Sequence, residues 1–174
     1  MQPPVNPKPN GISAYTVILL EHGREYLLLQ RSAEKQFAPN LWTGIGGKVE
    51  QDEFGDLWSS ALRELYEESG IRIDALEHFC LRRVMLQNRP GFPLTLLLYF
   101  TGNLAERMTP HCPEGRLFWK TAAEIAALDI IETSKPILPL LVSDIQRDPS
   151  GQEPVCLGLG IFQNGRFQGL TWGN

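Results

Sequence analysis

The chain has 174 residues with a formal net charge of −4, and its 43% hydrophobic and 21% charged content is ordinary for one globular domain with a sizeable core. An acidic balance without a local basic patch argues against binding a nucleic-acid polymer, whereas a small anionic substrate neutralised by a bound metal stays compatible with it. No apolar run approaches the roughly 20 residues of a membrane span, no secretory signal is visible, and Cys80, Cys112 and Cys156 lack C-x-x-C spacing, so a cytoplasmic protein with reduced thiols and no membrane partner is expected.

Residues 1–11, MQPPVNPKPNG, hold four prolines and are expected to form a flexible N-terminal arm, followed by one domain over 12–174. The runs SAYTVILLE and EYLLLQRS read as strands of a hairpin closed by HGR. The next stretch, LWTGIGGKVEQDEFG, carries Gly44, Gly46, Gly47 and Gly55, as suits a loop whose backbone turns tightly or approaches a ligand closely. From Asp56 to Ser69 the pattern turns helical, with Asp56 suited to the N-cap and Gly70 to the left-handed end. Trp58, Ala61, Leu62 and Leu65 form the stripe expected to pack, on the face away from the glutamates. HFCLRRVML and TLLLYFTG read as strands around the loop QNRPGFP, and RLFW as a further short strand. TAAEIAALDI and KPILPLLVSDIQ read as helices, the second with Pro136 near its start and Pro139 in its first turn. In the tail, Asn164-Gly165 between two β-rich runs signals a hairpin.

Within the first helix, RELYEESG places Glu64, Glu67 and Glu68 in an arc of about 100°. Like charges at these spacings cost roughly 0.2–0.5 kcal/mol per pair, and Arg63 supplies one positive charge against three negative ones. The cluster therefore asks for a further cation, and a divalent metal fits.

Gly46 to Ile71, GGKVEQDEFGDLWSSALRELYEESGI, resembles the signature of the Nudix hydrolases: Gly47, Glu53, Arg63, Glu64, Leu65, Glu67, Glu68, Gly70 and Ile71 take its places. Nine residues rather than seven separate Glu53 from Arg63, which leaves the register of Glu53 open and Glu50 as its substitute. The resemblance implies an α/β fold, an α/β/α sandwich with a mixed β-sheet and the signature helix on one face. It implies Mg2+, or Mn2+ in its place, held by Glu64, Glu67, Glu68 and the carbonyl of Gly47, with Glu53 pairing Arg63. It also implies a catalytic carboxylate from a loop at the place of Glu114, with Glu64 as the other candidate base. Lys48 and Arg31 are candidate phosphate contacts, and Trp42 offers a ring either for stacking on a base or for packing.

Lys48 after the double glycine makes the stretch most similar to mutator-type members, which convert nucleoside triphosphates to monophosphate and pyrophosphate. Thr43 and Thr133-Ser134 stand where relatives selective for oxidised purines carry other residues, so the sequence leaves that selectivity open. The alternative is a Nudix-fold sensor that binds a nucleotide or ADP-ribose without cleaving it, which the retained carboxylates disfavour. An isopentenyl-diphosphate isomerase-like enzyme ranks last, because no cysteine lies near the glycine loop. The expected partner is a small-molecule nucleotide, and the sequence leaves monomer and homodimer both open.

Overall fold

The computed structural model describes residues 11–108 and 110–173. The proposed arm at 1–11 lies outside these except for Gly11. In chain order the elements are β1 (Ile12–His22), β2 (Glu25–Arg31), β3 (Trp42–Thr43), α1 (Leu57–Ser69), β4 (Leu76–Gln87), β5 (Leu94–Leu104), β6 (Gly115–Thr121), α2 (Ala122–Ala126), α3 (Leu138–Arg147), β7 (Cys156–Gln163) and β8 (Arg166–Trp172).

All eight strands join one sheet in the order β3-β2-β1-β5-β4-β7-β8, with β6 on β2. The sheet is mixed: β1 runs parallel to β5 and β4 to β7, while the other pairs are antiparallel. Both expected hairpins form. Their two-residue turns, Gly23-Arg24 (φ 59° and 69°) and Asn164-Gly165 (φ 51° and 76°), have the left-handed backbone that matches strand twist.

Alternation along the strands divides the apolar residues between two faces. On one, Ile18, Leu20, Leu27, Leu29 and Leu117 pack with Ala61 and Leu65 of α1. On the other, Leu19, Tyr26, Leu28 and Tyr99 pack with Leu138, Leu141 and Ile145 of α3. The molecule is an α/β/α sandwich with a mixed sheet, as expected.

Helix α1 begins where Asp56 accepts the N–H of Ser59 at 3.1 Å and ends at Gly70, whose φ of 68° stops the right-handed spiral. Its packed face differs from the expected one. Ser60, Ala61, Leu65, Glu68 and Ser69 are buried, whereas Trp58 is exposed. The glutamate arc thus overlaps the packed face, because glycines rather than side chains stand opposite and leave room for carboxylates. Two other boundaries shift. TAAEIAALDI yields only the short α2, capped by a reciprocal Thr121–Glu124 box, and Ile130 beyond it bridges to Trp42. Pro136 precedes α3, which carries Pro139 in its first turn.

A buried ion-pair system ties β4 to α3 and the turn beyond it. Arg83 makes a two-pronged contact with Asp144 (2.6 and 2.7 Å), and Arg82 reaches the Asp148 carboxylate at 2.7 Å, the Asp148 carbonyl at 2.6 Å and the Thr101 hydroxyl at 2.8 Å. Each buried charge is paired and hydrogen-bonded, as burial demands.

Candidate active site

The loop after β3 and the buried face of α1 form the site. Gly46 donates its N–H to Oε2 of Glu68 at 2.9 Å. A Cβ on Gly47 would fall 2.3 Å from Oε2 of Glu64, so a side chain there would push that carboxylate from its place. Thr16 of β1 anchors the loop: its N–H donates to the Gly47 carbonyl at 2.8 Å, and its hydroxyl accepts the Gly47 N–H at 3.2 Å. Gly47 thus supplies space as well as a carbonyl.

Arg63 is the hub on the solvent side. It holds Glu53 with two prongs (2.6 and 2.7 Å), Glu64 at 2.9 Å and Glu67 at 3.0 Å, and donates to the Lys48 carbonyl at 3.2 Å. The long spacing is absorbed by a 3-10 turn at Gln51–Glu53 and the link Phe54–Asp56, which return Glu53 to Arg63. Glu53, not Glu50, takes the pairing role, with further bonds from the Ser60 hydroxyl and the Glu50 N–H. The guanidinium beside it holds the Glu53 carboxyl down to about 2, while burial pushes Glu64 upward.

Glu68 is 8% exposed. Burial, reinforced by the charges of Glu114 and Glu64, pushes its carboxyl up to about 7, against the opposing pull of the Gly46 N–H and Arg31. These groups come from four segments: α1, the glycine loop, the end of β2 and the loop before β6. Glu114 lies on the last, its carboxylate held by Lys35 at 2.5 Å and its carbonyl accepting the Ser32 N–H at 3.0 Å. Arg31 donates to the Phe37 carbonyl at 3.1 Å.

Two expected residues stand apart from this gathering. The Lys48 side chain is exposed, with no bond to the carboxylates among the described residues. The Trp42 ring packs on the face opposite α1, 5.3 Å from Phe118, with the Lys120 ammonium 5.8 Å away. Thr16, Lys35, Ser60 and the Gly46 N–H were not legible as site groups, since each acts on a residue distant in sequence or through backbone alone. Among the described residues no three acidic side chains already converge at metal-binding distance. Their oxygens face Arg63 and Gly46 instead. No described helix is long and apolar enough to cross a membrane.

Comparison with known proteins fits this geometry. A segment of 68 residues is 38% identical to the m7GpppN-mRNA hydrolase NUDT17 of Bos taurus, spanning 38% of this chain and 22% of that protein. Another match is 37% identical over 62 residues to the oxidized purine nucleoside triphosphate hydrolase of Mus musculus, covering 36% of this chain and 37% of that one. The matches therefore span well under half the length of these curated relatives. Among solved structures, the MutT protein of Bacillus halodurans superposes with a TM-score of 0.63 at 20% identity, covering 92% of this chain and 97% of that one, a likeness of fold. The family model of the NUDIX domain matches residues 9–141, far more than half the chain. The protein belongs to the Nudix hydrolase family.

Proposed function

We propose that this domain is a Mg2+-dependent pyrophosphohydrolase, with Mn2+ as a substitute, acting on a nucleoside diphosphate linked to another moiety. The simplest such substrate is a nucleoside triphosphate, giving monophosphate and pyrophosphate. The observation that carries the reading is the clustering of carboxylates on α1 against the glycine loop: Arg63 bridges Glu64 and Glu67, while buried Glu68 accepts the Gly46 N–H.

The donors suit a hard cation, because Glu64, Glu67 and Glu68 offer oxygens only, and Mg2+ takes a few carboxylates while keeping several waters. A ligand role for the Gly47 carbonyl would replace the long bond from the Thr16 hydroxyl at 3.4 Å, while the Thr16 N–H keeps the other lone pair. A divalent cation held by Glu64, Glu67 and Glu68 would supply neutralisation of phosphate charge and a more acidic water. The chain's own groups do the rest. Arg63 orients Glu64 and Glu67, and Glu53 fixes the guanidinium. Glu114, held by Lys35, takes the proton of the attacking water as its oxygen bonds to phosphorus and the bridging P–O bond breaks. Arg31, at the end of β2, meets phosphate oxygens.

The test is incubation with Mg2+ and nucleoside triphosphates, ADP-ribose, nucleotide sugars and dinucleoside polyphosphates, with the products identified. A capped oligonucleotide belongs in the panel because one relative is named as a cap hydrolase. Cleavage at a phosphoanhydride, lost in Glu68→Gln and Glu67→Gln with an unchanged circular-dichroism spectrum, is the expected result. Substrate bound and returned intact would favour a sensor instead. Unchanged turnover of Glu114→Gln near neutral pH would return the base role to Glu64.

A further inference from the structure

The two faces of the β7–β8 hairpin differ in their cover. On the α3 side, Phe167, Leu170 and Trp172 join the core that α3 closes. On the α1 side, strand register carries an apolar row outward across the sheet: Leu96 pairs with Leu86, Leu86 with Leu159, and Leu159 with Thr171. Two residues along on the same side, Val84 pairs with Leu157. Leu157, Leu159 and Ile161 take alternate positions on β7 and are 56%, 48% and 49% exposed, while Val84, Leu86 and Leu96 are half-buried. A lone exposed leucine is ordinary, but a contiguous apolar patch marks an interaction surface.

Charge, relief and area together choose the occupant. From Cys156 to Trp172 the only charged residue is Arg166, which sits at the turn, so nothing on this face selects a partner by its charge. Two copies meeting there bring no like charges together. The three apolar side chains of β7 form a ridge, and Gly169 and Thr171, paired with Ile161 and Leu159 on β8, form a furrow beside it. A two-fold axis between them lays each ridge in the furrow of the other copy, the self-matching that an isologous contact requires. Four strands about 4.8 Å apart, along the eight residues of β7 at about 3.3 Å each, give a footprint of about 500 Å2. Two such faces bury about 1,000 Å2 together, the lower bound for a specific interface and short of the roughly 1,600 Å2 of a standard one.

We propose that this face is the contact of a weak, two-fold homodimer, sheet against sheet, in which the β7 ridge of each copy lies along Gly169 and Thr171 of the other. The small area makes the association reversible and dependent on concentration. The inference stands apart from the hydrolase reading, because neither β7 nor β8 contributes a residue to the carboxylate site.

The experiment is sedimentation equilibrium of the full chain from low to high micromolar concentration, without nucleotide or metal. Wild type is expected to pass from monomer to dimer over that range. Leu159→Lys places an uncompensated ammonium in the contact twice, once from each copy, and raises the dissociation constant by about 10-fold or more. Leu159→Thr keeps a strand-forming residue and raises it less. Phe92→Lys, at an exposed apolar residue in the loop between β4 and β5, leaves it unchanged. Circular dichroism checks that each variant is folded, and if Leu159→Lys is not, Leu159→Thr decides. A wild type that stays monomeric throughout assigns the face to another occupant and overturns the inference. So does a dimer that the Leu159 variants leave intact, or one that Phe92→Lys weakens as much.

Discussion

Two arginine–carboxylate systems sit on opposite faces of the sheet and differ in their balance. On the α3 side, Arg82 and Arg83 meet Asp148 and Asp144, each charge matched and hydrogen-bonded in a dry setting. On the α1 side, Arg63 is shared among Glu53, Glu64 and Glu67, while Glu68 lies deeper and faces Glu64 and Glu114. Neutral bookkeeping marks the first as a clamp between elements. The excess of carboxylates on the second is what the proposed metal role would use, since strongly perturbed carboxylates in a cluster are candidates for functional groups.

The largest expected effect is on the balanced side. Asp144→Ala strands the Arg83 guanidinium and costs about 3–5 kcal/mol in urea-unfolding stability. Arg83→Met combined with Asp144→Leu recovers most of that loss, since the pair contributes little net stability once both charges go. The same single change leaves kcat unaltered at temperatures where the variant is folded. Glu68→Gln does the reverse: it weakens metal affinity by at least about 10–100-fold, read by calorimetry, yet does not destabilise the metal-free fold near pH 8. Arg63→Lys follows, with roughly 10-fold lower kcat/KM, because an ammonium cannot make the two-pronged contact with Glu53. Smallest is Asp56→Ala, about 1 kcal/mol from loss of the α1 cap, checked by thermal melting.

Acidity separates the two systems as well. Asp148 is held down to about 2, first by the Glu153 N–H, so its contribution is present above the ordinary carboxylate value and is lost as pH falls through about 2. Glu68 has the opposite sign. Its folded value of about 7 lies above the unfolded one near 4.5, so its contribution is full below pH 4.5 and disappears as pH rises through 7. Metal-free protein therefore loses melting temperature from pH 5 to pH 8, and Glu68→Gln flattens that slope.

The sequence made one system legible and hid the other for a physical reason. Glu64, Glu67, Glu68 and Arg63 lie within two helical turns, and glycines and caps carry local backbone meaning, so spacing and residue type suffice. Arg83 and Asp144 are 61 positions apart and Arg82 and Asp148 are 66 apart, joined only when β4 and α3 meet, and nothing in LRRVML or VSDIQRD announces the match. The misplacement of Trp58 and Glu68 has a related cause. Apolar periodicity finds the face that avoids water, but a carboxylate can join that face when a glycine loop supplies room and a donor. Glu114 entered only through the family resemblance, and its partner Lys35 sits in a loop without local pattern.

The central claim is that the unmatched carboxylates on α1 receive a divalent cation through Glu68. The direct measurement is the melting temperature at pH 8 of wild type and Glu68→Gln, each with and without MnCl2. Binding to the folded state alone raises stability by RT ln(1 + [L]/Kd). The account predicts that Mn2+ raises the melting temperature of wild type and that Glu68→Gln loses most of this rise. Equal shifts in both proteins, or no shift in either, would contradict it.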